Sequence, residues 1–487
     1  MNMSKIIPVW QAGSRWLLTA VAGALCTAAQ AQQIESLAQV RSVFVAPFTG
    51  DPEAAHLHDS FVHRLARTRL KIANSREASD AVVHGSAQIW VRGHVSVNAR
   101  TPSAERRAAY TGYLSIAVLT RDGEPLWSWL MTPGAFTWNN IVDDLATHAA
   151  KKLADAAEAA PTPASPQTGA SGSIAPASLT AAGATFPAPL YQKWFEDFAG
   201  THAGVAIHYS PVGSQMGIEK LAAGQLDFAG SDVVPEEVVG AEPASHLRRI
   251  ASVLGGVVPI YNLNGIADDL HFTQQALADI YLGRIRRWND PEIQRSNRGI
   301  DLPDAPIAVI HRSDGSGTTW VWSDFLSKSS PDWLSKAGRG TSIQWPVGTG
   351  FPGNEGVAEA VQNTPNSIGY VELTYAIHHR LSFGAVRNRA GQFLHADLDS
   401  LAEAARSAGG DAARSITDSP AKLAYPIAAF TWLVFSDAMA DKARRDALNG
   451  LLHWVLTSGQ KECSGLGYAP LPREIVDREL KELDGSH

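Results

Sequence analysis

The chain has 487 residues, of which 45% are apolar and 18% are charged. This balance is typical of soluble globular proteins, and the length favours two or three domains. The formal net charge of −7 excludes a broad basic field that would hold nucleic acid or an acidic membrane surface. An anion that binds to this chain must therefore be attracted by local geometry.

Residues 1–31 have the pattern of an export signal that is removed by cleavage. Lys5 and Arg15 form a positive start, an apolar run follows from residue 17 to residue 28, and small residues stand at positions 29 and 31. The run is shorter than the roughly 20 apolar residues that a membrane span needs. We therefore expect a secreted, periplasmic protein rather than one held by an N-terminal anchor.

The two cysteines bear on processing and on disulfides. Cys26 leaves lipid attachment open as an alternative, although Leu25 stands before it, where a lipoprotein signal normally has a small residue. After cleavage Cys463 is the only cysteine that remains, so no internal disulfide can form. Packing alone must then stabilise the fold.

Residues 32–156 predict a small α/β domain of unknown role. Strands are expected at 43–46, 81–91, 113–119 and 126–129, and a helix with buried Leu57, Phe61, Val62 and Leu65 follows the first of them. A hairpin turn at 122–123 and a closing helix over 140–156 complete the domain. This order of elements is similar to that of small envelope domains such as the N-terminal domain of TolB-like proteins.

The same domain has His56, Asp59 and His63 at helical spacing. These residue types could bind a metal ion from one helix face. A solvated polar face explains them without a fourth ligand, and we expect no metal here.

Residues 157–177 are rich in Ala, Pro, Ser, Thr and Gly and predict a linker. Residues 178–485 then alternate strands and helices, which indicates a mainly parallel sheet covered by helices. About 300 residues exceed one comfortable hydrophobic core, so we expect two lobes in this α/β domain.

Three turns of this domain join a strand to a helix. The segment 182–189 contains Thr185 before a helix over 190–198, the segment 212–218 contains Ser214, and the segment 311–319 contains Arg312 and Asp314. Helix N-termini present free amides and the positive end of the helix dipole, so they attract anions. Three such turns at the carboxyl ends of strands predict one anion site. At the first turn, the Thr185 hydroxyl could instead cap its helix.

Two charged residues refine this prediction. The guanidinium of Arg312 can bind two oxygens of a tetrahedral anion, with Asp314 orienting it, although a purely structural Arg312–Asp314 pair is an alternative. Asp232 follows another strand end and would repel an anion unless that anion carries a proton, as hydrogen phosphate does and sulfate does not. A helix cap before residues 235–237 is the alternative role for Asp232.

Several blocks closely resemble the phosphate-binding proteins of high-affinity phosphate ABC transporters. They are the blocks at 179–194, 227–232, 279–288, 312–318, 354–356 and 368–372, and the resemblance runs from about residue 179 to residue 485. Gln215 and Met216 stand where that family has smaller residues.

The resemblance implies a two-lobed periplasmic-binding-protein fold, similar to type II, with one lobe over about 178–260 and 425–485 and the other over about 261–424. It implies that inorganic phosphate is held by eight residues: Thr185, Phe186, Ser214, Asp232, Arg312, Ser316, Gly317 and Thr318. Asp314 would pair with Arg312. The expected partner is the membrane permease of a phosphate ABC importer, with no cofactor, no nucleic acid and a monomeric chain.

Three other functions remain open. A phosphohydrolase could use the same anion cradle, but it would need a nucleophile or a metal-bound water beside the phosphate. The protein could sense phosphate in the envelope, with residues 32–156 docking to an unknown partner. It could also bind sulfate or molybdate, against which Asp232 argues.

Overall fold

The computed structural model describes residue 34 and residues 36–96, 106–133, 140–159, 175–266 and 269–485. The predicted export signal, Cys26 and most of the predicted linker lie outside the described residues. None of the helices in the described ranges is both long and apolar enough to cross a membrane.

The N-terminal domain consists of one mixed sheet and two helices. Its elements are β1 (Ser42–Val45), β2 (Thr49–Gly50), α1 (Glu53–Leu65), β3 (Lys71–Ile72), β4 (Ala81–Ser96), β5 (Arg106–Thr120), β6 (Pro125–Met131) and α2 (Ile141–Glu158). The strand order is β3-β1-β4-β5-β6, with β2 on β4. Strand β1 is parallel to β3 and β4, and β4, β5 and β6 are antiparallel neighbours.

Sequence periodicity explains how this domain packs. Leu57, Phe61 and Leu65 of α1 are fully buried, as their helical spacing predicts, whereas Val62 is half-buried. Strands β4 and β5 extend beyond the predicted 81–91 and 113–119, because their backbones pair with each other as far as Ser96 and Arg106. The two-residue strands β2 and β3 are too short to give a period-2 pattern, and the sequence did not predict them.

The C-terminal domain contains the remaining elements. The strands are β7 (Ala177–Gly183), β8 (Val205–Pro211), β9 (Phe228–Ser231), β10 (Leu247–Asn262), β11 (His271–Phe272), β12 (Ala308–Arg312), β13 (Thr349–Phe351), β14 (Ser367–Glu372), β15 (Ser382–Phe383), β16 (Ala385–Arg387), β17 (Phe393–Leu394) and β18 (Ala428–Ser436). The helices are α3 (Ala188–Thr201), α4 (Ser214–Ala222), α5 (Glu236–Val239), α6 (Ala241–Ala244), α7 (Gln274–Tyr281), α8 (Pro291–Ser296), α9 (Gly317–Ser329), α10 (Pro331–Lys336), α11 (Gly353–Asn363), α12 (Leu373–His378), α13 (Leu398–Arg406), α14 (Lys442–Trp454), α15 (Gln460–Cys463) and α16 (Arg473–Asp484).

Two long strands, β10 and β18, connect the halves of this domain. The first part of β10 pairs with β18, which pairs with β9, and the second part of β10 pairs with β14. Strands β7, β8 and β9 are parallel on one side, and β12, β13 and β14 are parallel on the other. The expected parallel pairing therefore holds within each half, whereas the connecting strands are antiparallel. The domain has the two-lobed α/β fold, and we use "first lobe" for residues 178–260 and 425–485 and "second lobe" for residues 261–424, boundaries that stay predictions.

Candidate anion-binding site

Helices that follow strands β7, β8 and β12 begin around one point between the lobes. Helix α3 begins at Ala188, α4 at Ser214 and α9 at Gly317. Gly213 precedes α4 with a φ of 96°, and a Cβ added there would lie 2.7 Å from the carbonyl oxygen of Gly315. A glycine is therefore needed where the two lobes approach each other.

Asp232 lies in the interior of this site and is 1% exposed. Its Oδ1 accepts a hydrogen bond from the Thr431 hydroxyl at 2.7 Å, and its Oδ2 accepts one from the Ser214 hydroxyl at 3.3 Å. The capping alternative is wrong, because α5 begins at Glu236 with Pro235 at its N-cap position. The carboxyl group is therefore held inside the site by two hydroxyls.

Burial raises the pKa of Asp232 from 3.8 to about 7. The hydrogen bond from Thr431, the positive charge of Arg312 and the hydrogen bond from Ser214 oppose this shift without cancelling it. The Asp232 carboxyl therefore exchanges a proton near neutral pH, which suits a ligand that itself carries one.

Arg312 ends strand β12 and is 3% exposed. Its Nε and Nη2 donate hydrogen bonds to Asp314 at 2.7 and 2.5 Å. Burial disfavours the charge on Asp314, but the hydrogen bonds and charge of Arg312 outweigh it and lower the pKa of Asp314. Within the described residues the buried Nη1 of Arg312 has no hydrogen-bond partner. The structural pair is therefore present, and it leaves one charged donor available to a ligand.

Asn354 contacts two of the predicted site residues, one in each lobe. Its side-chain amide donates to the hydroxyl oxygens of Thr185 at 2.9 Å and Thr318 at 3.2 Å. Helix α3 begins three residues after Thr185 with Pro187 at its N-cap position, and no side-chain capping bond forms there. The capping alternative for Thr185 is therefore wrong, and its role in anion binding stays a prediction.

The start of α9 packs closely against the first lobe. A Cβ added at Gly317 would lie 2.5 Å from Oδ2 of Asp232 and closer still to Oγ of Ser214. The Ser316 hydroxyl oxygen caps α9 by accepting from the amide of Thr319 at 3.0 Å. This arrangement places the amide-rich end of α9 beside Asp232.

Phe186 is one of the eight predicted phosphate-binding residues, and Gln215 lies next to another of them, Ser214. Phe186 is fully buried, and its carbonyl oxygen accepts from the Tyr468 hydroxyl at 2.8 Å. The side-chain oxygen Oε1 of Gln215 accepts a hydrogen bond from the Thr341 hydroxyl at 2.9 Å. The backbone amide of Gln215 donates to the carbonyl oxygen of Gly315 at 3.1 Å. The larger side chain of Gln215 therefore adds a contact between the lobes, whereas Met216 is 45% exposed.

Sequence reasoning missed three supporting residues. Asn354 is fully buried at the start of α11, Thr431 comes from β18, and Tyr370 from β14 places its hydroxyl 2.7 Å from that of Thr319. Only Asn354 had a local signal, because it follows Pro352-Gly353 at a helix start. Thr431 and Tyr370 are distant in sequence, and only the sheet topology brings them to the site.

The side chains on the histidine-containing face of α1 contact residues close to them in the chain. His63 Nε2 lies 2.6 Å from Nη2 of Arg67, and the Asp59 carboxylate lies 3.0 Å from Nδ1 of His58. Across the ranges that the structure describes, no three His, Cys, Asp or Glu side chains are arranged to hold a metal ion.

The fold and the site define a class, that of two-lobed substrate-binding proteins that enclose an anion between their lobes. A family model described as a PBP superfamily domain matches residues 157–458. The phosphate-binding protein PstS of Xylella fastidiosa (strain 9a5c) is 41% identical over 303 residues, which cover 61% of this chain and 82% of the relative. The PstS protein of Pasteurella multocida (strain Pm70) is 36% identical over 319 residues, covering 63% and 92%. The chain therefore belongs to the PBP superfamily and, within it, to the family of phosphate-binding proteins.

A solved structure supports the fold. The high-affinity periplasmic phosphate-binding protein PfluDING, bound with phosphate at pH 8.5, aligns with a TM-score of 0.51 and 20% identity over 62% of this chain and 92% of that chain. The family model begins at residue 157, so elements β1–β6 lie outside its match.

Proposed function

We propose that the protein captures inorganic phosphate in the periplasm and delivers it to the membrane permease of an ABC importer. Family membership supports the substrate-binding role, and the chemistry of the site supports the choice of anion. The eight predicted residues and Asn354 form the proposed phosphate site, with helix N-termini and Nη1 of Arg312 as donors.

The proposal depends on the buried Asp232 carboxyl, whose pKa the positive charge of Arg312 lowers in opposition to burial. Hydrogen phosphate has an O–H group that donates a hydrogen bond to the carboxylate, so the ligand and Asp232 attract each other despite their like charges. Sulfate brings no proton and would face a buried carboxylate without a hydrogen bond, which costs several kcal/mol. The site should therefore select phosphate over sulfate and molybdate.

Isothermal titration of the exported chain tests this function. We expect saturable, one-to-one heat with phosphate and none with an equal concentration of sulfate at pH 8, where Asp232 is ionised. Equal affinity for the two anions would contradict the proposal.

Hydrolysis of a phosphate ester is not expected of this site. The His311 ring stacks on Trp345 at 4.5 Å, and its Nδ1 lies 3.0 Å from the carbonyl oxygen of Arg312. The nearby hydroxyls of Ser214 and Ser316 are engaged by Asp232 and by the amide of Thr319. Incubation with p-nitrophenyl phosphate and divalent metal ions should release no phosphate, and metal-dependent turnover would favour the hydrolase.

A further inference from the structure

The N-terminal domain contacts the first lobe through its last two strands. Ser128 of β6 donates to the carbonyl oxygen of Lys461 at 2.7 Å and accepts from the amide of Gly465 at 2.8 Å. Ser115 of β5 donates to the carbonyl oxygen of Gly465 at 2.6 Å. A Cβ added at Gly465 would lie 2.8 Å from Cβ of Ser128, so the two backbones pack closely. The contact is specific and polar.

The same domain contacts the second lobe through Arg92 of β4. Its guanidinium pairs with Asp269 and donates to the hydroxyls of Ser382 at 3.2 Å and Tyr261 at 3.0 Å. The Arg92 side chain is 11% exposed. Removing either partner of this pair would leave the other charge buried without its counter-ion, so the contact depends on both residues.

In each lobe, a residue close in sequence to the contact with the N-terminal domain forms a hydrogen bond with the proposed phosphate site. On the first lobe, Tyr468 follows Gly465 closely and donates to the carbonyl oxygen of Phe186 at 2.8 Å. On the second lobe, Arg380 donates a hydrogen bond to the side chain of Gln88 in β4 at 3.2 Å. Arg380 follows α12, and in that helix the Tyr375 hydroxyl donates to the carbonyl oxygen of Thr185 at 2.7 Å. The N-terminal domain therefore lies against the segments that fix the Thr185–Phe186 pair.

We propose that the N-terminal domain, described over residues 36–96, 106–133 and 140–159, is an intramolecular clamp. Its docking on both lobes is coupled to phosphate binding. A rigid domain can keep both sets of contacts in only one relative orientation of the lobes. In the described arrangement these contacts coexist with the bonds between the lobes from Asn354 and Gln215. Docking therefore favours the closed state, and by linkage phosphate favours docking. This inference depends on the proposed phosphate-binding function.

Arg92→Gln tests the clamp in the full exported chain. The substitution removes the ion pair to Asp269, and we expect phosphate affinity to fall about three- to tenfold, the effect of one or two lost hydrogen bonds. Arg64→Gln is the matched control, because Arg64 pairs with Asp143 inside the same domain at 3.0 Å. The control should bind phosphate as the wild type does.

Gly465→Ala tests the clamp from the first lobe. The added methyl group should separate β6 from residues 464–466 and weaken phosphate binding by a similar factor. Gly200→Ala is its control, since nothing lies within 4 Å of a Cβ at that position. In the wild type, phosphate should also slow amide hydrogen exchange in β5 and β6 several-fold, and both interface variants should lose this effect.

The results separate the clamp from the phosphate site. Wild-type affinity in both interface variants, with exchange in β5 and β6 unaffected by phosphate, would overturn the clamp while leaving the proposed function intact. A wild-type chain that does not bind phosphate would overturn both.

Discussion

The side-chain amide of Asn354 donates a hydrogen bond to the hydroxyl oxygen of Thr185 at 2.9 Å, and this bond joins the second lobe to the first. The same amide donates to Thr318, and Oδ1 of Asn354 accepts from the amide of Glu372 at 3.1 Å. Because both hydroxyl oxygens accept from Asn354, both hydroxyl protons stay available for a ligand. Asn354 thereby orients two donors without being a predicted phosphate ligand.

Asn354→Asp should reverse this orientation. The carboxylate accepts where the amide donated, so the Thr185 and Thr318 hydroxyls turn their protons toward residue 354, and a further negative charge enters the site. We expect phosphate affinity to fall by about 100-fold, compared with about tenfold for Asn354→Ala. Isothermal titration measures both. Asn363→Ala, at the exposed end of the same helix, should bind normally, and an Asn354→Asp variant that does so too would contradict this role.

Gly317→Ala should prevent lobe closure without unfolding either lobe. The new methyl group would collide with Ser214 and Asp232, which belong to the opposite lobe. We expect loss of at least 100-fold in phosphate affinity with little change in the melting temperature of the ligand-free protein. Gly356→Ala serves as control, because its nearest neighbour would lie at an ordinary 3.4 Å. Tight binding by the Gly317→Ala variant would mean that the lobes do not need to approach this closely.

Arg312→Lys should show how much of the phosphate affinity depends on the positive charge and how much on the hydrogen-bond geometry of the guanidinium. A lysine keeps the positive charge but cannot hold Asp314 with two parallel hydrogen bonds while donating to a ligand. We expect phosphate binding to weaken by roughly 10- to 100-fold, and more in Arg312→Ala. Titration of the two variants against Arg295→Ala, an exposed arginine on α8, measures the difference. Equal affinities for all three would place the site elsewhere.

Glu372→Gln should change how stability depends on pH. Burial raises the pKa of Glu372 from 4.5 to about 8, so the folded state binds a proton that the unfolded state loses near pH 4 to 5. The wild-type chain should therefore lose stability relative to Glu372→Gln as pH rises from 5 to 8, by on the order of 3 kcal/mol at about 1.4 kcal/mol per pKa unit. Denaturant unfolding at pH 5, 6.5 and 8 without phosphate measures this. Parallel pH profiles of the two proteins would contradict the raised pKa.

Local sequence patterns predicted elements of both domains. Helical spacing at Leu57, Phe61 and Leu65 and the Gly-rich turns around Ser214 and Arg312 depend on neighbouring residues, so the sequence alone reveals them. The antiparallel pairing of β10 with β18 depends on residues about 170 to 190 positions apart, and no local pattern specifies it. The docking of Arg92 on Asp269 is equally long-range.

The sequence predicted those site residues that lie in the strand-to-helix turns. Asp232 and Arg312 could be assigned by their chemistry and by resemblance, but their burial and the raised pKa of Asp232 follow from packing that only the folded chain creates. The alternative capping role of Thr185 could be excluded only from the folded chain, for the same reason. Its partner, Asn354, is 169 residues away.

The measurement that tests the central claim most directly is competition between phosphate and sulfate in the wild type and in Asp232→Asn at pH 8. The wild type should bind phosphate and reject sulfate, because an ionised, buried Asp232 accepts a hydrogen bond that only the O–H group of phosphate can donate. The neutral amide can donate to either anion, so Asp232→Asn should bind phosphate more weakly and gain measurable affinity for sulfate. Unchanged discrimination in Asp232→Asn would contradict the account.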